Sequence, residues 1–348
     1  MRIAQVAPLH ESVPPKLYGG TERVVHYLTE ELVKMGHEVT LFASEDSQTS
    51  ARLIPCCKRA LRLEGVKDRL APHVLQLEKV AQKAEEFDII HFHVDHIHFP
   101  LMRRLPVPHV TTLHGRLDLP ELRPLFEEFR DVPVVSISDA QRGPLPFARW
   151  VGTVYHGLPK DLYRFYARPG DYLAFLGRIS PEKRPDRAIK IAEKAGMKLL
   201  IAAKVDEADR VYYENVIKPM LKSPWVEFIG EINDKEKNEF LGKAYALLFP
   251  IDWPEPFGLV MIEALACGTP VIAWRCGSVP EVIEEGISGF IVESLEEAVQ
   301  AVEKVAGLKR ILCRKAFERR FTAEVMAQNY LKVYERLLMA EKPVLKVA

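Results

Sequence analysis

The sequence has no excess of charge of either sign. Lys plus Arg and Asp plus Glu each number 48 in 348 residues, so no global field favours nucleic acid or an anionic surface. No apolar run approaches the roughly 18 residues that would span a bilayer. The opening Met1-Arg-Ile-Ala-Gln-Val-Ala7 reads as a short strand ahead of prolines rather than a secretory leader. Cysteine is sparse and odd in number. Cys56, Cys57, Cys267, Cys276 and Cys313 have no metal-ligand spacing, and adjacent Cys56 and Cys57 read as surface thiols. A reduced, cytoplasmic protein is expected. Internal repeats and low-complexity segments are also missing. What remains is an ordinary globular composition, 48% hydrophobic and 28% charged, on a chain too long for one core.

Alternating short apolar runs and amphipathic stretches predict two α/β halves with parallel sheets and right-handed crossovers. In the first half, strands are expected at 2–7, 39–43, 88–92, 109–114, 134–138 and 153–156, with a helix at 21–35 closed by Gly36. Residues 44–86 predict only one or two helices. Pro169-Gly170 marks a linker, after which strands at 172–176, 198–202 and 226–229 alternate with helices at 187–195, 209–221 and 235–244. The expected domains are therefore 1–168, 169–322 and a closing helical segment, 323–348.

The richest stretch is Glu255-Pro-Phe-Gly-Leu-Val-Met-Ile-Glu263. An apolar strand, Ala246-Leu-Leu-Phe-Pro-Ile251, leads into a loop broken by Pro254 and Pro256. The pattern turns helical at Gly258 and stops at Gly268. Ligands of open α/β sheets gather beyond the carboxyl ends of strands, where such loops lie. The unpaired N–H groups of Gly258, Leu259 and Val260 would attract an anion, and Gly258 has no Cβ in the way. Glu255 precedes that anion site in the loop and Glu263 follows it on the helix. Carboxylates accept hydrogen bonds from sugar hydroxyls, so the arrangement suits a nucleotide sugar: hexose at Glu255, diphosphate at the helix, ribose at Glu263.

Glu255 and Glu263, with seven residues between them in the setting EPFGLVMIEALACGTPVIA, resemble the signature of glycosyltransferase family 4. The resemblance implies a GT-B fold, two Rossmann-like domains with parallel sheets facing across a cleft that holds the active site. It implies a metal-independent, retaining hexosyltransferase that uses a nucleotide-diphosphate sugar, UDP-glucose or another UDP-hexose, and needs no cofactor. Pro256 and Phe257 belong to the same donor loop. Gly19-Gly20, opening the first long helix, matches a diphosphate contact of the family. His114 ends a strand where the family has a histidine beside the transferred sugar. Gly177-Arg-Ile-Ser-Pro-Glu-Lys183 matches the pair that grips the diphosphate, Arg178 and Lys183; taken alone these would be solvated surface charges. Ile232, after the strand at 226–229, falls where the family holds the nucleobase. The final helix is expected to cross back onto the first domain.

Lys204 follows from position rather than resemblance. It ends an apolar strand, at the crevice side of a doubly wound sheet, where the donor or Asp206 could pair with it. His91, His93, His96 and His98 raise the question of zinc, but no outlying carboxylate or Cys pattern accompanies them, and alternation puts His91 and His93 on one face; no metal is expected. Lys309, Arg310, Arg314, Lys315, Arg319 and Arg320 predict a solvated basic face, with weak peripheral membrane contact as the competing reading. The partners expected are a nucleotide-sugar donor and an acceptor (glycan, lipid or small molecule), without nucleic acid. A GT-B sugar-nucleotide epimerase and a non-catalytic nucleotide-sugar binding module are the rival functions. Tyr155-His-Gly-Leu158, where the family more often has Asn-Gly, and the His-rich first half leave the acceptor open.

Overall fold

The computed structural model describes residues 1–16 and 19–340; Leu17 and Tyr18 of the first loop, and the expected helical segment beyond Ala340, lie outside the described residues. Two compact units emerge. One comprises Met1–Pro159 together with Thr322 onward, and the other Lys160–Phe321. Pro169-Gly170 therefore lies inside the second unit rather than between the two. Residues before it pack there: Tyr166 N–H donates to Cys267 O, and a Cβ at Gly242 would strike the Tyr166 ring.

The first unit holds a seven-stranded sheet of β1 (Arg2–Val6), β2 (Glu38–Ser44), β3 (Arg52–Cys57), β4 (Ile89–Phe92), β5 (His109–Thr112), β6 (Val134–Ser136) and β7 (Trp150–Thr153). Its order is β3-β2-β1-β4-β5-β6-β7, parallel throughout. The central strands β1 and β4 are buried along nearly their whole length and do not alternate between buried and exposed positions. Two expectations for this unit fail. Residues 44–86 contain edge strand β3 besides the helix Leu70–Gln82. The last strand ends at Thr153, where it was expected to begin. Cys56 is buried in β3 and not a surface thiol, and burial pushes its pKa up to about 12.

The second unit holds β8 (Tyr172–Arg178), β9 (Lys198–Lys204), β10 (Val226–Gly230), β11 (Ala246–Phe249), β12 (Val271–Trp274) and β13 (Gly289–Val292), ordered β10-β9-β8-β11-β12-β13 and again parallel. The stretch expected as one helix at 209–221 is broken into short α turns around a π turn, Tyr213–Ile217.

Strand order reverses direction between β1 and β4 in the first sheet and between β8 and β11 in the second. At such switch points the loops leaving neighbouring strands diverge and open a crevice above the carboxyl ends. In the second unit those loops are Ile179–Lys183 and Pro250–Gly258. The sequence assigned its chemistry to those same loops.

Candidate active site

Glycine geometry builds the loop after β11. Gly258 caps the helix Leu259–Cys267 with φ 80° and no side-chain cap, and a Cβ there would press on Phe249 and Met261 at 3.0 Å. Gly268 ends the helix, also left-handed. The helix start thus keeps its N–H groups uncapped by side chains, as an anion site requires. Across the loop, Gly277 (φ 54°) lies so close that a Cβ would sit 2.4 Å from Glu255 O. Ser278 then fastens the loop: its N–H donates to Glu255 O (3.1 Å) and its hydroxyl to Phe257 O (2.6 Å).

Glu255 and Glu263 are held differently. Glu255 Oε2 accepts from Lys183 Nζ and from Trp253 Nε1 (2.9 Å). Glu263 is buried on the second turn of the helix; its Oε1 accepts from Lys237 Nζ (3.0 Å) and Tyr163 Oη (3.2 Å).

The loop after β8 is laced to the Glu255 loop. Besides Lys183 and Glu255, Arg184 pairs with Asp252 (2.7 Å), Arg187 with the same carboxylate (3.4 Å), and Asp252 N–H donates to Glu182 O (2.8 Å). Arg184 takes φ 54°, rare for a residue with a side chain; its guanidinium is also gripped by Asp186 at 2.8 Å. Arg178 has an acidic surround: Glu182, Asp209 at 3.1 Å and Asp206 at 4.0 Å. Burial pushes the Asp209 carboxyl up in pKa, opposed by Arg178. Lys204, opposite Arg178 in the β8–β9 register, pairs with Asp206 at 2.8 Å and is 41% exposed. Ile232 follows the edge strand β10 and is half-buried.

In the first unit, Gly19 and Gly20 open the helix Gly20–Lys34. Gly19 is extended (φ 170°), and close approach explains it better than backbone freedom: a Cβ would stand 2.8 Å from Pro15 and 3.2 Å from Glu11. Glu11 and Glu22 are buried nearby, and burial raises the pKa of Glu22. His114 follows β5; its Nε2 meets His93 Nδ1 at 2.9 Å, and its ring stacks on His156 with centroids 5.3 Å apart. Burial pushes the His114 pKa down to about 3. His91 and His93 do share a face, with centroids 4.0 Å apart. Among the described residues no group of three or more His, Cys, Asp or Glu side chains has an arrangement that could hold a metal ion.

Residues 167–316 match the family described as Glycosyl transferases group 1, and residues 18–176 match Glycosyltransferase Family 4. The chain belongs to this family of glycosyltransferases. A phosphatidyl-myo-inositol mannosyltransferase of Mycobacterium leprae is 26% identical, the match covering 96% of each chain. A glycosyltransferase involved in avilamycin A biosynthesis has a similar structure, with TM-score 0.76, 23% identity and 97% of this chain matched to 98% of that one. Anabaena HepE, solved in complex with UDP and glucose, gives TM-score 0.71 at 19% identity, 97% of this chain matching all of that one (100%). The two parallel-sheet units of this glycosyltransferase are those of the GT-B fold.

Several residues that pack around the candidate site were not singled out from sequence. Trp253, Asp252 and Ser278 stand near the Glu255 motif and could have been suspected from proximity. Lys237 and Tyr163 reach Glu263 from distant segments, and nothing local announces them. The basic cluster is corrected in part. Arg310 is buried and donates to Tyr166 O, Gly242 O, Ala244 O and Thr269 Oγ1 (2.6–2.9 Å). Arg314 is buried against Tyr163 O, Ala266 O and Lys160 O, while Arg319 and Arg320 pair with Glu284. Arg310 and Arg314 thus bind carbonyls of loops and helix ends instead of facing solvent, whereas Lys309, Lys315 and Arg319 are exposed. Among the described residues no helix is long and apolar enough to cross a membrane.

Proposed function

We propose that the enzyme transfers a hexose from a UDP-sugar, with retention and without a metal, to a glycan, lipid or small-molecule acceptor. The observation that carries this reading is the second unit's switch point. There the uncapped helix start at Gly258, the cation Lys183 and the carboxylate Glu255 are contributed by the two diverging loops, and Glu263 by the helix that follows. Gly258, Leu259 and Val260 N–H groups and Lys183 stabilise charge growing on the leaving diphosphate, which is electrostatic catalysis by preorganised donors. An ammonium has three N–H donors, so its bond to Glu255 leaves others for phosphate. Arg178, set among three carboxylates, contributes a partly neutralised charge. Glu255 holds the hexose beside Pro256 and Phe257, and Glu263 the ribose. Lys204 and Ile232 complete the donor contacts, with Gly19, Gly20 and His114 assigned to diphosphate and sugar by family resemblance. HepE, bound to UDP and glucose, supports UDP over other nucleotides as the first donor to try.

Incubation with UDP-, GDP- and ADP-hexoses, each with and without an acceptor panel, tests this. UDP release that depends on acceptor, with the anomeric configuration kept in the product, is the expected result. Interconversion of the sugar nucleotide without acceptor, or tight binding without turnover, would replace the proposal.

A further inference from the structure

The buried polar residues under His114 form one continuous chain of hydrogen bonds, in which the orientation of the Gln5 amide sets the direction of every proton. Gln5, on β1, donates from Nε2 to Tyr334 Oη (3.2 Å), so Tyr334 turns its own proton to His91 Nδ1 (2.7 Å). His91 therefore carries its proton on Nε2, which donates to Thr112 Oγ1 (2.7 Å). At the other end of the Gln5 amide, Oε1 can only accept, so His93 Nε2 donates to it (2.8 Å). A neutral imidazole has one N–H, which leaves His93 Nδ1 as an acceptor facing His114 Nε2 at 2.9 Å. Burial holds His91 and His93 neutral by lowering their pKa values well below the usual range.

We propose that Gln5, His93 and Tyr334 are positioning residues that hold His114 as the tautomer protonated on Nε2, leaving Nδ1 an acceptor. The inference rests on the assignment of His114 to the transferred sugar only for its catalytic consequence; the tautomer itself follows from the network. A reversed Gln5 amide would run every proton the other way and end with an N–H on His114 Nδ1. That nitrogen is buried and has no hydrogen-bond partner among the described residues, and an orphaned buried N–H is rarer than an under-used acceptor. The network therefore has a preferred direction. A His114 fixed in this way cannot donate a hydrogen bond to a sugar hydroxyl, because its only N–H is committed to His93. Tyr334 lies on the closing helix of the chain, so a residue remote in sequence takes part in fixing the side chain after β5.

Selective ¹⁵N-histidine labelling reads the tautomer directly, with His114→Asn identifying the signal. The wild-type enzyme is expected to show His114 neutral and protonated on Nε2 at pH 7. Gln5→Met removes the acceptor at similar volume and should give mixed His93 and His114 tautomers. It should also lower kcat with a UDP-hexose by roughly tenfold, about 1.4 kcal/mol, with the KM for donor little changed. Gln5→Glu keeps an acceptor for His93 and should restore both the signature and the rate. Tyr334→Phe, which frees the Gln5 amide to turn over, should mix the tautomers again. Melting temperature checks that each variant is folded. A wild-type His114 protonated on Nδ1 or cationic, or a Gln5→Met enzyme with unmixed tautomers, overturns the proposal. Mixed tautomers with unchanged sugar transfer would instead sustain the network and remove His114 from the sugar, so the two readings fail separately.

Discussion

Glu255 is tied to groups proposed to handle the leaving diphosphate, whereas Glu263 is buried between a lysine and a tyrosine of its own unit. That difference predicts separable defects. Glu263→Gln should weaken binding of free UDP, because the ribose contact and its support from Lys237 go together. Glu255→Gln should leave UDP affinity intact and lower sugar transfer by about 100-fold, near 3 kcal/mol in barrier. Calorimetry with UDP on both variants decides, and equal losses of affinity would overturn the division. Lys204 is argued at the same scale. It has Asp206 as a partner at 2.8 Å, so its charge is not stranded in the crevice. Lys204→Met is expected to weaken UDP-sugar binding by roughly 1–3 kcal/mol, the range for a lost charge-assisted hydrogen bond. A fall in melting temperature at unchanged affinity would make it a structural ion-pair partner only. Glu255, Glu263 and Gly258 could be singled out because a spaced motif and a strand–loop–helix turn mark them locally, whereas Lys183 was picked out by family resemblance. Lys237, Tyr163 and the partners of Arg178 were not, because tertiary packing alone brings them in.

Secondary-structure elements were legible where the apolar period was clean and failed where a local signal contradicted the tertiary role. β3 was missed because Pro55 interrupts an otherwise apolar run; an edge strand tolerates a proline, and β3 pairs only with β2. Arg310 and Arg314 misled for the opposite reason, since charge usually means exposure, yet their forks fit the carbonyls left over at helix ends. Gly277 carries a prediction at this scale. Its missing side chain lets the Ser278 turn clasp the Glu255 loop, so Gly277→Ala must push that loop away and also strain a left-handed φ. We expect a loss of about 2 kcal/mol in stability and a fall in sugar transfer greater than in UDP binding. Denaturant melts and UDP calorimetry check it; full activity and unchanged stability would show that the loop can yield.

At the scale of the molecule, the five histidines His91, His93, His98, His114 and His156 all have pKa values lowered by burial from 6.5. Below pH 6.5 the unfolded chain takes up protons that the folded one refuses. Stability is therefore full above that pH and lost as pH falls, at up to about 1.4 kcal/mol per pH unit for each histidine. Urea midpoints between pH 5 and 8 should drop steeply on the acid side, and a flat profile would contradict the burial. The closing helix Ala323–Ala340 supplies Tyr330 and Tyr334 to the first unit's polar core, bonded to Thr112 and His91. A chain ending at Phe321 should leave those buried groups unmatched, so limited proteolysis should digest the first unit and spare residues 160–321. Equal survival of both units would show that the helix is dispensable.

The route of the backbone has one more consequence. The first unit is left after Leu158 and rejoined at Thr322, and these two points are neighbours: Ala323 N–H donates to Leu158 O at 2.8 Å, and Gly157 has no side chain because a Cβ would sit 2.3 Å from Thr322 O. Residues 160–321 are thus an insert whose two ends meet at a single seam. A short turn joining Pro159 to Thr322 could bridge that seam, which makes the second unit an exchangeable cassette. Residues 160–321 could then be exchanged between such enzymes through two junctions that lie side by side, with the first unit's sheet and its closing helix left in register.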